Sequence, residues 1–302
     1  MTAVVLAGSV HKSLAQALAA RLKFDLVVPK SQRFPDGELD VEVPPTLVGK
    51  DVFVLQPLAK DVGEALLELL LLCDASRRVG ASSVTAVVPY LAYARQDRRD
   101  KGSEALGAKV MASTFSTASI DRVIVLDLHS RAVEGCFAQA VEHASSVPAL
   151  IAALGSKVGD AVVVSPDLGA VKRAEAYARA LGLSVAVVHK QRLSGSEVAV
   201  HGVVGEVRGK VPLVVDDMIS TGGTLCAAVS AVLAAGALPD VTVVATHGLF
   251  VGDAVARLKA LPLRRIIVTD SLPLEGASSL PLEVVSCVEP LAQAVERCRR
   301  SN

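Results

Sequence analysis

The chain has 302 residues, 51% of them apolar, and 31 lysines and arginines balance 31 aspartates and glutamates. That length can bury a substantial core and suggests two domains at roughly 100 to 200 residues each. The charge balance excludes a net field that would draw the protein nonspecifically to nucleic acid or an anionic membrane, so any phosphate site must be built locally.

The opening MTAVVLAGSVHK carries no basic leader and reads as a first buried strand rather than a signal peptide. The richest apolar stretch, Ala65 to Cys73, contains Glu68 and is too short to span a bilayer, so a soluble protein is expected. Short β-branched runs then alternate with Ala/Leu-rich segments at helical period, the pattern of an α/β fold with a mainly parallel sheet flanked by helices. In the first half, strands are predicted at Ala3–Leu6, Asp25–Val28, Val52–Leu55, Val84–Val88 and Val123–Leu126, with helices through Leu14–Leu22, Gly63–Val79 and Leu106–Thr117. Between the second and third strands, Leu39, Val41 and Val43 alternate with Glu38, Asp40 and Glu42, as in an antiparallel or edge strand with one wet face.

The second half repeats the theme with strands at Ala161–Val164, Val185–Val188, Leu213–Val215, Val241–Ala245 and Ile266–Val268, and helices near Val171–Leu181 and Leu225–Ala235. Two tandem, related domains are expected, residues 1–145 and 146–302, with the hinge where HASSV (143–147) interrupts the periodicity. A last helix from about Leu291 is expected to fold back on the first half. The five cysteines, Cys73, Cys136, Cys226, Cys287 and Cys298, form no C-x-x-C pair and no even-numbered framework, which favours reduced thiols and a cytoplasmic protein.

The strongest chemical signal is VPLVVDDMISTGGTL (211–225), an apolar strand that ends in two acids and turns through Ser220, Thr221, Gly222, Gly223 and Thr224 into a helix. The glycines let backbone N–H groups turn inward, the threonines add hydroxyl donors, and the helix brings its positive end, so the segment suits a phosphate monoester. It is not a Walker A loop, because no lysine follows the glycines. Asp216 and Asp217 fall at the carboxyl end of a strand, where carboxylates accept from sugar hydroxyls or hold a metal. The acid pair alone would serve equally as a cap and turn with surface acids.

The acid pair with T-G-G-T resembles the ribose 5-phosphate loop shared by type I phosphoribosyltransferases and ribose-phosphate pyrophosphokinases. Four further segments resemble the pyrophosphokinases: SQRFPDGELDVEV, PYLAYARQDRRDKG, VLDLHS with VVSPDLGAVKRA, and HKQRLSG. They spread the similarity over nearly the whole chain, whereas a type I transferase would be one such domain without the first half. The resemblance implies two tandem type I phosphoribosyltransferase-like domains, the first on the nucleotide side and the second on the ribose 5-phosphate side.

In RFPDGE, Phe34 offers a stacking face and Asp36 and Glu38, about Gly37, offer acceptors for an exocyclic amino group, although a P-D-G turn before a strand explains the local pattern as well. The resemblance makes this loop part of a neighbouring subunit's ATP site, which implies a homo-oligomer. Arg95 and Gln96, just after a strand and turn, suit phosphate oxygens and ribose or base, while Arg98, Arg99 and Lys101 read as solvated surface. His129 in D-L-H, oriented by Asp127, and Asp167 in S-P-D-L-G are the expected ligands of Mg²⁺, which Mn²⁺ could replace, although a lone histidine is more often structural. Lys190 and Arg192 match a need for fixed cations where charge gathers on a transferred diphosphoryl group, and Arg192 would also touch ribose 5-phosphate.

The implied reaction transfers the β,γ-diphosphoryl group of ATP to the 1-hydroxyl of ribose 5-phosphate. Three departures from the widespread pattern stand out: Ser220 replaces a frequent acid, Gln191 interrupts K-R-R, and K-G-S-E replaces K-S-R-x, which weakens the case for allosteric control by phosphate or ADP. Ala138 and Glu142 stand where family members often carry further acids. The competing readings are a transferase that consumes phosphoribosyl pyrophosphate and a catalytically silent paralogue. No nucleic acid or membrane partner is expected.

Overall fold

A computed structural model describes residues 2–99, 101–155, 159–192 and 198–300, and for 190–192 and 198–201 the backbone alone. The chain forms two compact units: unit 1 comprises Met1–Ser145, Ser271–Pro273 and Cys287–Asn302, and unit 2 comprises Ser146–Asp270 and Leu274–Ser286.

Unit 1 runs β1 (Ala3–Ala7), α1 (Lys12–Leu22), β2 (Asp25–Val27), β3 (Lys30–Arg33), β4 (Leu39–Glu42), β5 (Asp51–Leu55), α2 (Val62–Arg78), β6 (Ser83–Val88), α3 (Gly107–Phe115), β7 (Arg122–Leu126) and β8 (Ala140–Ala144). Six strands pair in the order β2-β1-β5-β6-β7-β8, all parallel, with Val4 opposite both Asp25 and Val52. Every residue of β1 is buried, as a parallel strand covered on both faces requires. The strands β3 and β4 form a separate antiparallel hairpin, so the alternating GELDVEV segment pairs outside the parallel sheet. Helix α2 starts at Asp61, whose carboxylate accepts the Glu64 N–H at 3.2 Å, and it ends with Arg77 and Arg78 at its negative pole.

Unit 2 runs α4 (Val147–Leu154), β9 (Ala161–Ser165), α5 (Val171–Leu181), β10 (Ser184–Arg192), β11 (Val198–Val204), β12 (Val211–Ile219), α6 (Gly223–Ala234), β13 (Val241–Gly248), α7 (Ala254–Lys259), β14 (Leu263–Thr269) and β15 (Leu282–Val285). Its strand order is β11-β10-β9-β12-β13-β14-β15, parallel except for the β10–β11 pair. Alternate strand residues face opposite sides, as the two-residue period demands. Val162, Val214 and Val243 pack with Leu225, Val229 and Val232 of α6, and Val163, Leu213 and Val244 pack with Leu150 of α4 and Tyr177 of α5.

The final helix α8 (Val288–Arg300) belongs to unit 1. Its Leu291, Ala292, Val295 and Cys298 are buried with Leu14 and Leu18 of α1 against Val5 and Phe53 of the sheet. All five cysteines are free thiols, and no helix among the described residues is long and apolar enough to cross a membrane.

Candidate active site

In an open parallel sheet, ligands settle beyond the carboxyl ends of the strands where the strand order reverses. Unit 2 reverses between β9 and β12, since β10 lies on one side of β9 and β12 on the other. β12 pairs with β9 only from Val211 to Val214, then continues beside β13, with Asp216 opposite Ala245 and Met218 opposite His247. Asp216 and Asp217 therefore fall just past the end of β9, on the open side of the reversal.

Asp217 is 5% exposed, and its N–H donates to the Asp216 Oδ1 at 2.9 Å. Burial pushes the Asp216 carboxyl well above the usual carboxylate range, and the negative charges of Asp217 and Asp167 push it the same way. Asp167 follows β9, and its Oδ1 accepts the N–H groups of Gly169 at 2.9 Å and Ala170 at 3.2 Å, capping the short turn that leads into α5. Three carboxylates thus share one field at the switch point; the sequence reading expected two of them as a sugar-binding pair and the third as a metal ligand.

Beyond Ile219 the chain turns through Ser220 and Thr221 into Gly222, whose φ of +76° is the left-handed conformation that glycine adopts without strain. Gly222 caps α6, and its carbonyl accepts the Cys226 N–H at 2.9 Å. The N–H groups of Gly223, Thr224 and Leu225 precede the first intrahelical bond and are the donors a helix start offers to an anion. The following segment braces the turn: Leu249 and Phe250 donate to the Ile219 carbonyl, and Val251 donates to that of Ser220 at 3.1 Å.

Lys190 and Arg192 lie at the end of β10, beyond its pairing with β9, with backbones opposite Val200 and Val198 of β11 and a register shift between His189 and Lys190. Their side chains lie outside the described residues, as does the segment that follows Arg192.

Unit 1 has its own reversal, between β1 and β5, and there the crevice is filled. Gln56 is fully buried; its Oε1 accepts the Val10 N–H at 3.2 Å, and its amide donates to Glu68 Oε2, which also takes the Ser9 hydroxyl at 2.6 Å. A Cβ on Gly8 would lie 2.2 Å from the Gln56 oxygen. The sequence reading missed this plug, because Gly8, Gln56 and Glu68 are unremarkable until β1, β5 and α2 are assembled.

The remaining candidates of unit 1 stand elsewhere at its edges. Arg95 and Gln96 are exposed beyond β6, on a turn where Tyr93 has a φ of +63° and its carbonyl accepts the Gln96 N–H at 2.9 Å. The Gln96 side chain packs over Gly107 at the start of α3, where a Cβ would come within 2.3 Å of its oxygen. His129 is exposed beyond the neighbouring strand β7, and the Asp127 Oδ1 accepts from Ser145 at 2.8 Å. Phe34, 49% exposed, sits on the hairpin between β3 and β4, where Gly37 has a φ of +96°, the Glu38 N–H donates to Asp36 and Arg33 pairs with Glu64 of α2.

The two expected metal ligands belong to different units, His129 to unit 1 and Asp167 to unit 2. Among the described residues, no group of three or more histidines, cysteines or acids is arranged to hold a metal ion by itself.

The doubly wound sheet of unit 2, with two acids and a Ser-Thr-Gly-Gly-Thr turn at its switch point, defines a phosphoribosyltransferase-type domain. A family model for the phosphoribosyl transferase domain matches residues 137–255, and one for the N-terminal domain of ribose phosphate pyrophosphokinase matches residues 3–119. A ribose-phosphate pyrophosphokinase from Mesorhizobium japonicum is 39% identical over 296 residues, 96% of this chain and 95% of that protein. One from Vibrio parahaemolyticus is 40% identical over 296 residues, 96% of this chain and 94% of its own length. The crystal structure of phosphoribosylpyrophosphate synthetase from Mycobacterium smegmatis matches all of both chains with a TM-score of 0.93 at 35% identity. The chain belongs to the ribose-phosphate pyrophosphokinase family.

Proposed function

We propose that this protein transfers the β,γ-diphosphoryl group of ATP to the 1-hydroxyl of ribose 5-phosphate, giving phosphoribosyl pyrophosphate and AMP. The observation that carries the reading is the unit 2 switch point, where the Asp216–Asp217 pair and the Ser220–Thr224 turn meet the start of α6 on a chain of this family. The turn holds the 5-phosphate through backbone N–H groups and the hydroxyls of Ser220, Thr221 and Thr224, with Gly222 and Gly223 leaving room for the oxygens. Asp217 and Asp216 accept from the sugar hydroxyls and fix the ring. The 1-hydroxyl oxygen forms a bond to the β-phosphorus, the bond from that phosphorus to the oxygen bridging it to the α-phosphorus breaks, and AMP leaves with that oxygen. The hydroxyl proton passes to solvent.

Lys190 and Arg192, carried on β10 next to β9, offset the charge that builds on the diphosphoryl group and on AMP, and Arg192 also steadies the sugar phosphate. Arg95 and Gln96 bind the nucleotide's phosphates and ribose, and Phe34, Asp36, Gly37 and Glu38 meet its adenine from a neighbouring copy, so the active form is a homo-oligomer. The carboxylates crowded at the switch point fit a hard divalent cation, which would offset the repulsion among Asp216, Asp217 and Asp167 that adds to the effect of burial on Asp216. His129 and Asp167 would hold Mg²⁺, or Mn²⁺ in its place, which when bound neutralises charge on the ATP phosphates. The cell compartment is the cytoplasm.

The test is product analysis from ATP and Mg²⁺ with and without ribose 5-phosphate. AMP that forms only with the sugar supports the reading. ADP would indicate an ordinary kinase, and no turnover would favour a transferase or a silent paralogue.

A further inference from the structure

We infer that Arg257 is a further positioning residue for the substrate's 5-phosphate, a second-side clamp on the turn formed by Ser220 to Thr224. The inference rests on the reading of that turn as the sugar-phosphate cradle. Segment 216–224 carries two aspartates and no lysine or arginine, although its proposed guest is a phosphate ester with up to two negative charges. Backbone dipoles and hydroxyls can hold such a group, but a fixed cation would strengthen the hold and help select a phosphorylated sugar over a neutral one.

The fold supplies that cation from 33 residues downstream of Thr224. Helix α7 follows the segment that braces Ser220, and its buried residues Ala254 and Leu258 lie against the turn. A Cβ on Gly222 would meet Leu258 Cγ at 3.6 Å and the Ala254 carbonyl at 3.7 Å. Arg257, adjacent to Leu258, is thereby directed at the start of α6. Its Nη1 stands 3.7 Å from the point a Cβ on Gly223 would occupy, and the Thr221 hydroxyl stands 3.7 Å from the same point.

The missing side chain of Gly223 leaves an opening bordered by a guanidinium and a hydroxyl at the start of α6. The charge of Arg257 is felt in that first turn, where it opposes the effect of burial on the Cys226 thiol. Among the described residues no hydrogen bond or ion pair engages the guanidinium, so its donors are available to phosphate oxygens directly or through a water. Lys259, exposed two residues later, has no such relation to the turn and serves as a control of equal charge.

The experiment compares Arg257→Ala, Arg257→Lys and Lys259→Ala with the unaltered enzyme, measuring AMP formation over a range of ribose 5-phosphate at saturating ATP and the reverse. Arg257→Ala is expected to raise the KM for ribose 5-phosphate about ten- to a hundredfold, the worth of one charged hydrogen bond or two. The KM for ATP should stay within about twofold, because uniform binding of one substrate has been removed. Arg257→Lys should recover part of the loss, and Lys259→Ala should match the unaltered enzyme.

An unchanged KM for the sugar phosphate in Arg257→Ala would overturn the inference while leaving the cradle in place. Equal losses in Arg257→Ala and Lys259→Ala would overturn it too, since they would reduce the effect to net charge. An unaltered enzyme whose AMP formation ignores ribose 5-phosphate would instead remove the cradle reading on which the inference stands.

Discussion

Asp216 holds its proton to higher pH than a free carboxyl does, because burial and the charges of Asp217 and Asp167 all disfavour its ionised form. The folded protein therefore binds more protons at this site than the unfolded chain once pH rises above the unfolded value of about 3.9. The contribution to stability is fully present below that value and declines as pH climbs through the raised folded value. Asp216→Asn removes the titration, so its urea midpoint should fall less between pH 5 and pH 8 than that of the unaltered protein. Parallel midpoints for the two proteins across that range would show that Asp216 ionises normally.

The same residues show what local sequence can carry. The acids, the turn and the helix start are contiguous, so residues 211–225 can be read as a candidate anion site without any tertiary information. Arg257 and the Gln56–Glu68–Ser9 plug were invisible because distant segments create them, and neither an isolated arginine nor a buried glutamate has a local signature. Asp167 was legible as an acid at a strand end, but its use as a cap for Gly169 and Ala170 was not.

Among the elements, α8 shows how the end of the chain contributes to unit 1. Leu291 is fully buried among residues of α1 and the sheet, and outside this apolar stripe Arg21 bonds Glu289 at 2.6 Å and Arg297 bonds Glu142 at 2.7 Å. Truncating a buried leucine removes transfer free energy and leaves a cavity, so Leu291→Ala should destabilise unit 1 by about 2–5 kcal/mol in urea unfolding. Arg21→Ala should do far less, because exposed ion pairs are screened and cost side-chain entropy. Comparable losses would mean that charge rather than burial docks the helix.

The central parallel strands were readable because they are buried on both faces and so carry uninterrupted β-branched runs. The strands β3, β8 and β15 were not, since β3, KSQR, is exposed throughout and β8 and β15 are only partly buried, so none carries that run. The segment around HASSV read as an interruption of the periodicity, yet β8 continues through Ala144 before α4 begins at Val147.

For the molecule as a whole, the two sheets share a doubly wound plan but treat their switch points differently. Unit 1 fills its crevice with Gln56 and Glu68, whereas unit 2 leaves acids and a glycine-rich turn at its own. Under the proposed function, the sugar phosphate binds at the unit 2 switch point, and Arg95 and Gln96 at the edge of unit 1 meet the nucleotide. The difference between the switch points explains why two similar halves need not bind two similar ligands. The central claim is that the diphosphoryl group moves intact onto the sugar. Phosphorus-31 NMR of ATP, Mg²⁺ and ribose 5-phosphate with the enzyme tests it most directly. The account predicts a new sugar-linked diphosphate pair of resonances growing in equal amount with AMP; ADP growing with a single sugar-linked phosphate at the 1-position would contradict it.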